Sequence, residues 1–160
     1  MPESLSFGSN YLKEDRKNSI ITPFYSDGRW RTEKAFIEYL EKSDKIQWWF
    51  KNGDRDATFF AVPYDNGEQK PFYVDFIIKL KDRRIGLFDS KAGFTQKLAG
   101  PKIDGLFHYI QSENKKGKNL FGGIVTNSDP RNYTGRWVYF DRTSKELRDN
   151  DFSNWINLEI

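Results

Sequence analysis

Two acidic residues and a lysine stand where a phosphodiester-cleaving metal site could form. Asp75 interrupts the apolar run 73–78, and Asp89 closes a second apolar run, 85–88, two residues before Lys91. An unpaired buried carboxylate is costly, so acids in two neighbouring strands require a cationic partner. Successive side chains of a strand alternate between faces, so Asp89 and Lys91 are predicted to project from the same side. Such a group suits in-line hydrolysis of a phosphodiester, in which a metal stabilises the charge developing on oxygen.

The composition restricts the cation to a hard metal ion. The chain has no cysteine and a single histidine, His108, which leaves too few ligands for a thiolate or histidine zinc cage. A metal must then be held by oxygen, and oxygen ligands favour Mg²⁺ or Mn²⁺. The carbonyl of Ser90 is a candidate ligand beside Asp75 and Asp89. Lys91 is a candidate for holding or deprotonating the attacking water.

The elements that must position these residues follow an α/β pattern. Apolar residues at helical spacing predict a helix over 31–44, and Glu33 lies on its apolar stripe, formed by Phe36, Ile37 and Leu40. Asn52-Gly53 predicts a hairpin between strands over 46–51 and 57–64. Further strands are predicted over 73–78, 85–91, 120–126 and 136–141, a second helix from Pro101 to about 116, and a short helix through Phe152, Trp155 and Ile156. Alternation in the run 73–78 predicts that Val74, Phe76 and Ile78 share one face.

The length and charge are those of one soluble domain. At 160 residues the chain has the size of a single domain, and we expect residues 1–30 to form an arm that packs through Phe24, Tyr25 and Trp30 on a domain spanning 31–160. A net charge of +3 permits nucleic-acid binding without demanding it. No run approaches the length of a membrane span, and the N-terminus lacks a signal-peptide core. We therefore expect a cytoplasmic protein with no membrane partner.

The motif order resembles the PD-(D/E)xK nuclease superfamily. Asp75, thirteen intervening residues and then Asp89-Ser90-Lys91 follow a helix that carries Glu33. The wider pattern is most similar to the C-terminal endonuclease domain of type III restriction enzymes and related helicase-linked nucleases. It covers about residues 31–126 and consists of Glu33-Lys-Ala-Phe36, Trp49-Phe-Lys-Asn52, Tyr73-Val-Asp-Phe76 and Asp89-Ser-Lys-Ala-Gly93. Val74 stands where the superfamily often has proline, and Asp89 stands where the type III relatives more often have glutamate.

The resemblance implies a fold, a reaction and residue roles. The fold is α/β and restriction-endonuclease-like, with a central mixed β-sheet flanked by helices and an α-β-β-β-α-β core. The reaction is Mg²⁺-dependent cleavage of double-stranded DNA. Asp75 and Asp89 match the metal-binding acids, Lys91 the catalytic lysine, and Glu33 the helix acid that helps to organise metal or water. Lys102 resembles a lysine on the helix after the triplet, and Lys97 and Lys102 are candidates for contacts to DNA phosphate.

Members of this family work with an ATP-driven helicase or translocase domain and, in restriction systems, with a modification subunit. The sequence contains no Gly-rich phosphate-binding loop that ends in Gly-Lys-Ser/Thr. We therefore expect either a separate small nuclease or a piece of a larger helicase-nuclease.

Each acid also has an interpretation that involves no catalysis. Asp75 is then paired with a nearby Lys or Arg, and Asp89 and Lys91 either pair only with each other or end a strand at a solvated rim. Glu33, close to a helix start, then interacts favourably with the positive end of the helix dipole. The corresponding function is a non-cleaving module of the same fold that binds DNA or a partner within a restriction or helicase complex.

Overall fold

A six-stranded mixed sheet with a helix packed on each face forms the centre of the protein, which is described here from a computed structural model. The structure describes residues 6–54, 58–65, 67–91, 96–149 and 151–160, with the backbone alone for 96–98. The predicted α/β class with a central mixed sheet is confirmed. The described elements are β1 (Leu12–Glu14), β2 (Phe24–Ser26), α1 (Arg31–Lys42), β3 (Ile46–Lys51), β4 (Val62–Asp65), β5 (Gln69–Phe72), β6 (Phe76–Leu80), β7 (Ile85–Ser90), α2 (Gln96–Lys115), β8 (Leu120–Asn127), β9 (Trp137–Phe140) and β10 (Ile156–Asn157).

The strand order of the main sheet is β10-β9-β8-β7-β6-β3. Only the pair β7 and β8 is parallel among these described strands, and α2 forms the connection between them. A parallel pair requires such a crossover, whereas antiparallel neighbours can be joined by a tight turn. Two separate hairpins, β1-β2 and β4-β5, lie outside this sheet.

Helix α1 covers one face of the sheet. Its residues Phe36, Ile37 and Leu40 recur at helical spacing and are almost completely buried. The Phe36 ring meets the ring of Phe76 edge to face, with a centroid distance of 5.2 Å. Phe76 and Phe88 sit in this layer because they face α1 from paired positions of β6 and β7.

Helix α2 covers the other face. Its residue Leu106 packs with Val74 and Leu87, while Ile103 packs with Ile124. Gly105 allows the β4-β5 hairpin to approach the helix, because a Cβ at this position would lie 2.6 Å from Tyr64 Cβ. Apolar layers under α1 and under α2 thus cover both faces of the sheet.

Strand β8 crosses the middle of the sheet with two glycines in succession. Gly122 and Gly123 have φ values of +134° and +152°, a region that L side chains rarely adopt. A Cβ on Gly122 would lie 2.0 Å from the Leu87 carbonyl oxygen, and one on Gly123 would lie 1.8 Å from that of Phe140. Only glycine fits this passage between β7 and β9.

Several predicted elements differ from the structure. The predicted hairpin between 46–51 and 57–64 is wrong, because β3 pairs with β6 and β4 pairs with β5. Asn52 is buried: its side-chain NH₂ group donates to the carbonyls of Phe60 and Val74. The second helix begins at Gln96 and includes Pro101, and the tail contains strand β10 in place of the predicted short helix. The first helix ends at Lys42, and residue 57 lies outside the described residues.

The predicted strand over 73–78 is divided. Strand β5 ends at Phe72 and β6 begins at Phe76, so Asp75 precedes β6 and is not inside a strand. The prediction that Val74 shares a face with Phe76 is also wrong, because Val74 packs in the α2 layer and Phe76 in the α1 layer. Among the described residues, neither helix is long and apolar enough to cross a membrane.

Candidate active site

Strand pairing brings the predicted site residues to one edge of the sheet, the edge formed by the end of β3, the start of β6 and the end of β7. Lys51 ends β3 and pairs with Phe76 at the start of β6, and Phe76 pairs with Phe88 near the end of β7. Asp75, which precedes β6, therefore lies between Lys51 on one side and Asp89-Ser90 on the other. Glu33 reaches the same edge from the first turn of α1.

Asp75 is fixed by hydrogen bonds from both neighbouring strands. Ser90 donates its backbone N–H and its hydroxyl to Asp75 Oδ2, at 2.8 and 2.9 Å. The backbone N–H of Asn52 donates to the Asp75 carbonyl oxygen at 2.8 Å, and the Asn52 side chain donates to the adjacent Val74 carbonyl at 2.9 Å. These bonds hold the carboxylate at the edge of the sheet without placing it inside a strand.

Lys51 is the functional candidate that the sequence analysis did not assign. Its Nζ lies 3.4 Å from Glu33 Oε2 and 3.6 Å from Asp75 Oδ1, and only 13% of its side chain is exposed. The ammonium also lies 5.1 Å from the centroid of the Trp30 ring, within cation–π distance. Lys51 thus bridges two of the predicted catalytic acids. The sequence signal for Lys51 is its position at the end of the aromatic strand β3. The predicted hairpin pairs that strand with 57–64, whereas its actual partner is β6, which begins next to Asp75.

Asp89 carries the most perturbed carboxyl group of the site. Its side chain is 3% exposed, and its Oδ2 lies 3.2 Å from Lys91 Nζ without a well-aligned hydrogen bond. Burial, reinforced by the negative charge of Asp75, raises the pKa of Asp89 to about 7 against the opposing effect of Lys91. Burial likewise raises the pKa of Glu33, with Lys51 opposing and Asp75 adding to the shift.

Lys91 remains an ammonium in this environment. Burial disfavours its charge, but the carboxylates of Asp89, Asp75 and Glu33 outweigh burial and raise its pKa. A lysine in this state donates hydrogen bonds and cannot accept a proton. Two roles are predicted for Lys91, which are to hold the attacking water or to deprotonate it. The raised pKa favours the first, in which the ammonium binds the water and offsets negative charge.

The predicted residues Glu33, Asp75, Asp89, Ser90 and Lys91 thus meet in one cluster. The ion pairs of the non-catalytic interpretation are present as well, because Asp75 lies near Lys51 and Asp89 near Lys91. Lys102 is close enough for its charge to lower the pKa of Asp89, and its Nζ lies 5.2 Å from the Phe72 ring centroid. The side chain of Lys97 lies outside the described residues.

The donor set fits a metal ion held by few protein ligands. The described part of the chain has no group of three or more His, Cys, Asp or Glu side chains placed to hold a metal ion. Mg²⁺ often binds through one or two carboxylates, with water and substrate phosphate as its other ligands. A buried carboxylate with an incompletely satisfied oxygen, Asp89, beside a second carboxylate, Asp75, meets that requirement.

Comparison of the chain with protein-family models, with curated proteins and with solved structures finds no match.

Proposed function

We propose that this chain is a metal-dependent DNA endonuclease domain of the PD-(D/E)xK type, which hydrolyses phosphodiester bonds. The observation that carries the proposal is the convergence of Glu33, Asp75, Asp89 and Lys91 at one sheet edge, with Ser90 hydrogen-bonded to Asp75. These are the four residues that the sequence motif selects. Glu33 lies on α1, Asp75 directly before β6, and Asp89 on β7 with Lys91 directly after it. Charged residues are rare in a protein core, so four acidic or basic side chains at one place indicate a role other than core packing.

The order of the elements supports a restriction-endonuclease-like fold. Helix α1, strands β3, β6 and β7, helix α2 and strand β8 follow one another as α-β-β-β-α-β when the β4-β5 hairpin is treated as an insertion. The mixed sheet has its parallel pair at β7 and β8, next to the proposed site. Fold likeness alone does not establish activity, so the proposal depends on the site residues.

The residues have distinct roles in the proposed reaction. Asp75 and Asp89, with the Ser90 carbonyl, would hold Mg²⁺ or Mn²⁺, which when bound activates water and stabilises the charge on the phosphate oxygens. The Lys91 ammonium donates hydrogen bonds to a phosphate oxygen or to the attacking water and offsets negative charge. Ser90 holds the Asp75 carboxylate, and Glu33 holds Lys51, which in turn restrains the other oxygen of Asp75.

The charge balance of the cluster supports a cationic ligand. Three carboxylates, those of Glu33, Asp75 and Asp89, face the ammonium groups of Lys51 and Lys91. Full ionisation therefore leaves one excess negative charge in a largely buried place, which agrees with the raised pKa values of Asp89 and Glu33. A divalent cation would reverse that sign and prepare the site for an anionic phosphodiester.

The wider setting is part of the proposal. Double-stranded DNA is the expected partner, with Lys97 and Lys102 contacting its phosphates. The resemblance adds an ATP-driven helicase or translocase, a modification subunit and a cytoplasmic restriction system. These partners follow from the sequence pattern and need tests of their own.

One observation favours a second candidate, the non-cleaving module. Each acid of the cluster already has a lysine nearby, so the site is partly neutralised by its own side chains. A binding module of this fold needs no metal, and it would show no divalent-ion affinity. Titration with Mn²⁺ therefore separates the two functions.

The proposed function is tested with supercoiled plasmid and Mg²⁺ or Mn²⁺. We expect nicks or breaks from the wild type, and a loss of at least about 100-fold in Asp89→Asn and Lys91→Met, because each removes a charge needed in the transition state. Asp82→Asn is the matched control, since Asp82 is an exposed aspartate in the turn at the other end of β6 and β7. Cleavage that survives both substitutions in the cluster would reject the site assignment.

A further inference from the structure

An aromatic cleft opens directly beside the proposed active site. It has a volume of about 650 Å³ and lies between the β1-β2 hairpin and the end of β3. Its lining includes Glu33, Lys51 and Asp75, so any molecule in the cleft is next to the catalytic cluster. The volume lies in the range of about 300–1,000 Å³ that is usual for small-molecule sites.

The walls of the cleft are largely aromatic. The Phe7 ring is stacked on Tyr25, with centroids 4.9 Å apart and an interplanar angle of 17°. The Tyr11 ring meets Trp30 edge to face at 5.8 Å. Phe59 closes another side, where it lies so close to Gly53 that a Cβ there would be 2.2 Å from the ring. Aromatic rings on several sides suit a flat aromatic ligand.

The charges of the cleft select against an anion. Apart from Asp54, its lining contains three carboxylates and two cationic groups. Asp27 pairs with Arg29, whereas Glu33 and Asp75 share Lys51, which leaves one carboxylate in excess. A phosphate would be repelled by this excess of acids unless a metal ion were bound nearby. A neutral ring with N–H groups is accommodated, because carboxylate oxygens accept hydrogen bonds. Nucleobases combine a flat ring, amino donors and the absence of charge.

We propose that this cleft binds an unpaired nucleobase of the DNA strand that is cleaved. The inference rests on the proposed nuclease function, and it narrows the double-stranded DNA substrate to places where a base is unpaired, such as a frayed or overhanging end; an isolated single strand is the simplest such ligand. A base inside a duplex has both faces stacked and its edge paired, so it would have to leave the helix at a cost of a few kcal/mol. A base that is already unpaired enters without that cost and gains stacking on the aromatic walls.

The test measures DNA binding without cleavage. The protein is titrated in Ca²⁺, which binds carboxylate oxygens and stands in for Mg²⁺ at the acids, with a fluorescent single strand and with its duplex. 2-Aminopurine in the single strand reports stacking by its quenching. We expect the single strand to bind at least about tenfold more tightly than the duplex and to be quenched. Phe7→Leu and Tyr25→Leu should each weaken single-strand binding by about tenfold, because stacking contributes about 1–3 kcal/mol per base. Phe107→Leu, a half-buried aromatic on α2 away from the cleft lining, is the matched control.

The outcomes distinguish this inference from the nuclease proposal. Equal binding of single strand and duplex, or unchanged binding in both cleft variants, would overturn the nucleobase site while leaving nuclease activity possible. Phe7 is 38% exposed, so its substitution leaves the core unchanged and keeps the test decisive even if Tyr25→Leu fails to fold. Quenched single-strand binding with no cleavage in Mg²⁺ or Mn²⁺ would support the cleft and reject the nuclease. A cleft that takes N-acetyltryptophanamide but no nucleoside would belong to a protein partner and also overturn the inference.

Discussion

Ser90 donates two hydrogen bonds to Asp75 Oδ2, one from its backbone N–H at 2.8 Å and one from its hydroxyl at 2.9 Å. Asp75 directly precedes β6 and Ser90 ends β7, so the bonds join the Asp75 carboxylate to the strand that carries Asp89. Bonds to an ionised acceptor are about twice as strong as neutral ones. Ser90 therefore positions one proposed metal ligand, Asp75, and directly follows a second one, Asp89.

Ser90→Ala removes the hydroxyl and leaves the N–H bond in place. We expect the free energy of unfolding to fall by about 1.5–3 kcal/mol, since a hydrogen bond to a charged group contributes about that much. Urea denaturation at neutral pH measures the change. Ser112→Ala is the control, because Ser112 is an exposed serine on α2. A loss in the control as large as that in Ser90→Ala would mean that the bond to Asp75 has no special weight.

Lys51→Met leaves Glu33 and Asp75 facing each other without an ammonium between them. Breaking a fully buried ion pair costs about 3–5 kcal/mol, and partial exposure of this group reduces the expected loss to about 2 kcal/mol. The double variant Lys51→Met/Glu33→Gln should recover part of that loss, because it also removes one of the unpaired acids. Urea denaturation of the single and double variants tests this coupling.

Lys34→Met is the matched control for Lys51→Met. Lys34 also approaches a glutamate, Glu14, at 3.8 Å, but its side chain is 45% exposed. Surface pairs contribute about 0–1 kcal/mol, so this variant should change stability little. Equal losses in the two lysine variants, or no recovery in the double variant, would contradict a special role for Lys51.

The alternation of side chains is enough to predict that Asp89 and Lys91 share a side, because Lys91 directly follows β7 and the two residues are two positions apart in the chain. Their charged groups lie 3.2 Å apart. The apolar spacing of α1 likewise located Glu33 among buried residues. These parts of the site follow from local geometry.

Strand pairing could not be obtained in the same way. Asn52-Gly53 is a strong hairpin signal, yet Asn52 is buried and its side chain binds the backbone of two other segments. Because the Asn52 side chain forms these hydrogen bonds to distant parts of the chain, the local turn preference of Asn52-Gly53 is overridden. Strand β3 therefore pairs with β6 instead. Lys51 was missed for the same reason, because its contacts with Glu33 and Asp75 depend on that pairing. Pro101 favours a helix start, but it lies within the early turns of α2, which begins at Gln96.

The raised pKa of Asp89 gives the stability of the fold a definite pH dependence. In the folded state this carboxyl has a pKa of about 7, compared with an ordinary value of 3.8. Between these values the folded protein binds more protons than the unfolded chain, so stability falls as the pH rises through this window. Glu33, whose pKa is also raised, contributes with the same sign.

Asp89→Asn should remove much of this slope and make the protein more stable than the wild type at about pH 8, by an amount on the order of 1–3 kcal/mol. Thermal or urea unfolding at several pH values between about 5 and 8, without divalent ions, measures the slope. Asp82→Asn is the control, because the hydrogen bonds that Asp82 accepts from Arg84 lower the pKa of its carboxyl group. A wild-type stability that rises with pH in this range, after subtraction of the control, would contradict the raised pKa.

Divalent-ion binding should stabilise the wild type and depend on Asp89. A ligand that binds only the folded state at about 100 times its dissociation constant adds about 2.7 kcal/mol, which for a chain of this length corresponds to a rise in Tm of roughly 5–10 °C. We expect Mn²⁺ to give such a rise above about pH 7, where Asp89 is more fully ionised, and a smaller one at lower pH, where protons compete. Asp89→Asn should abolish the rise, and Asp82→Asn should retain it. A Tm that does not respond to Mn²⁺ in the wild type, with or without single-stranded DNA, would favour the non-cleaving module, because the charge of the cluster would then be balanced by Lys51, Lys91 and bound protons alone.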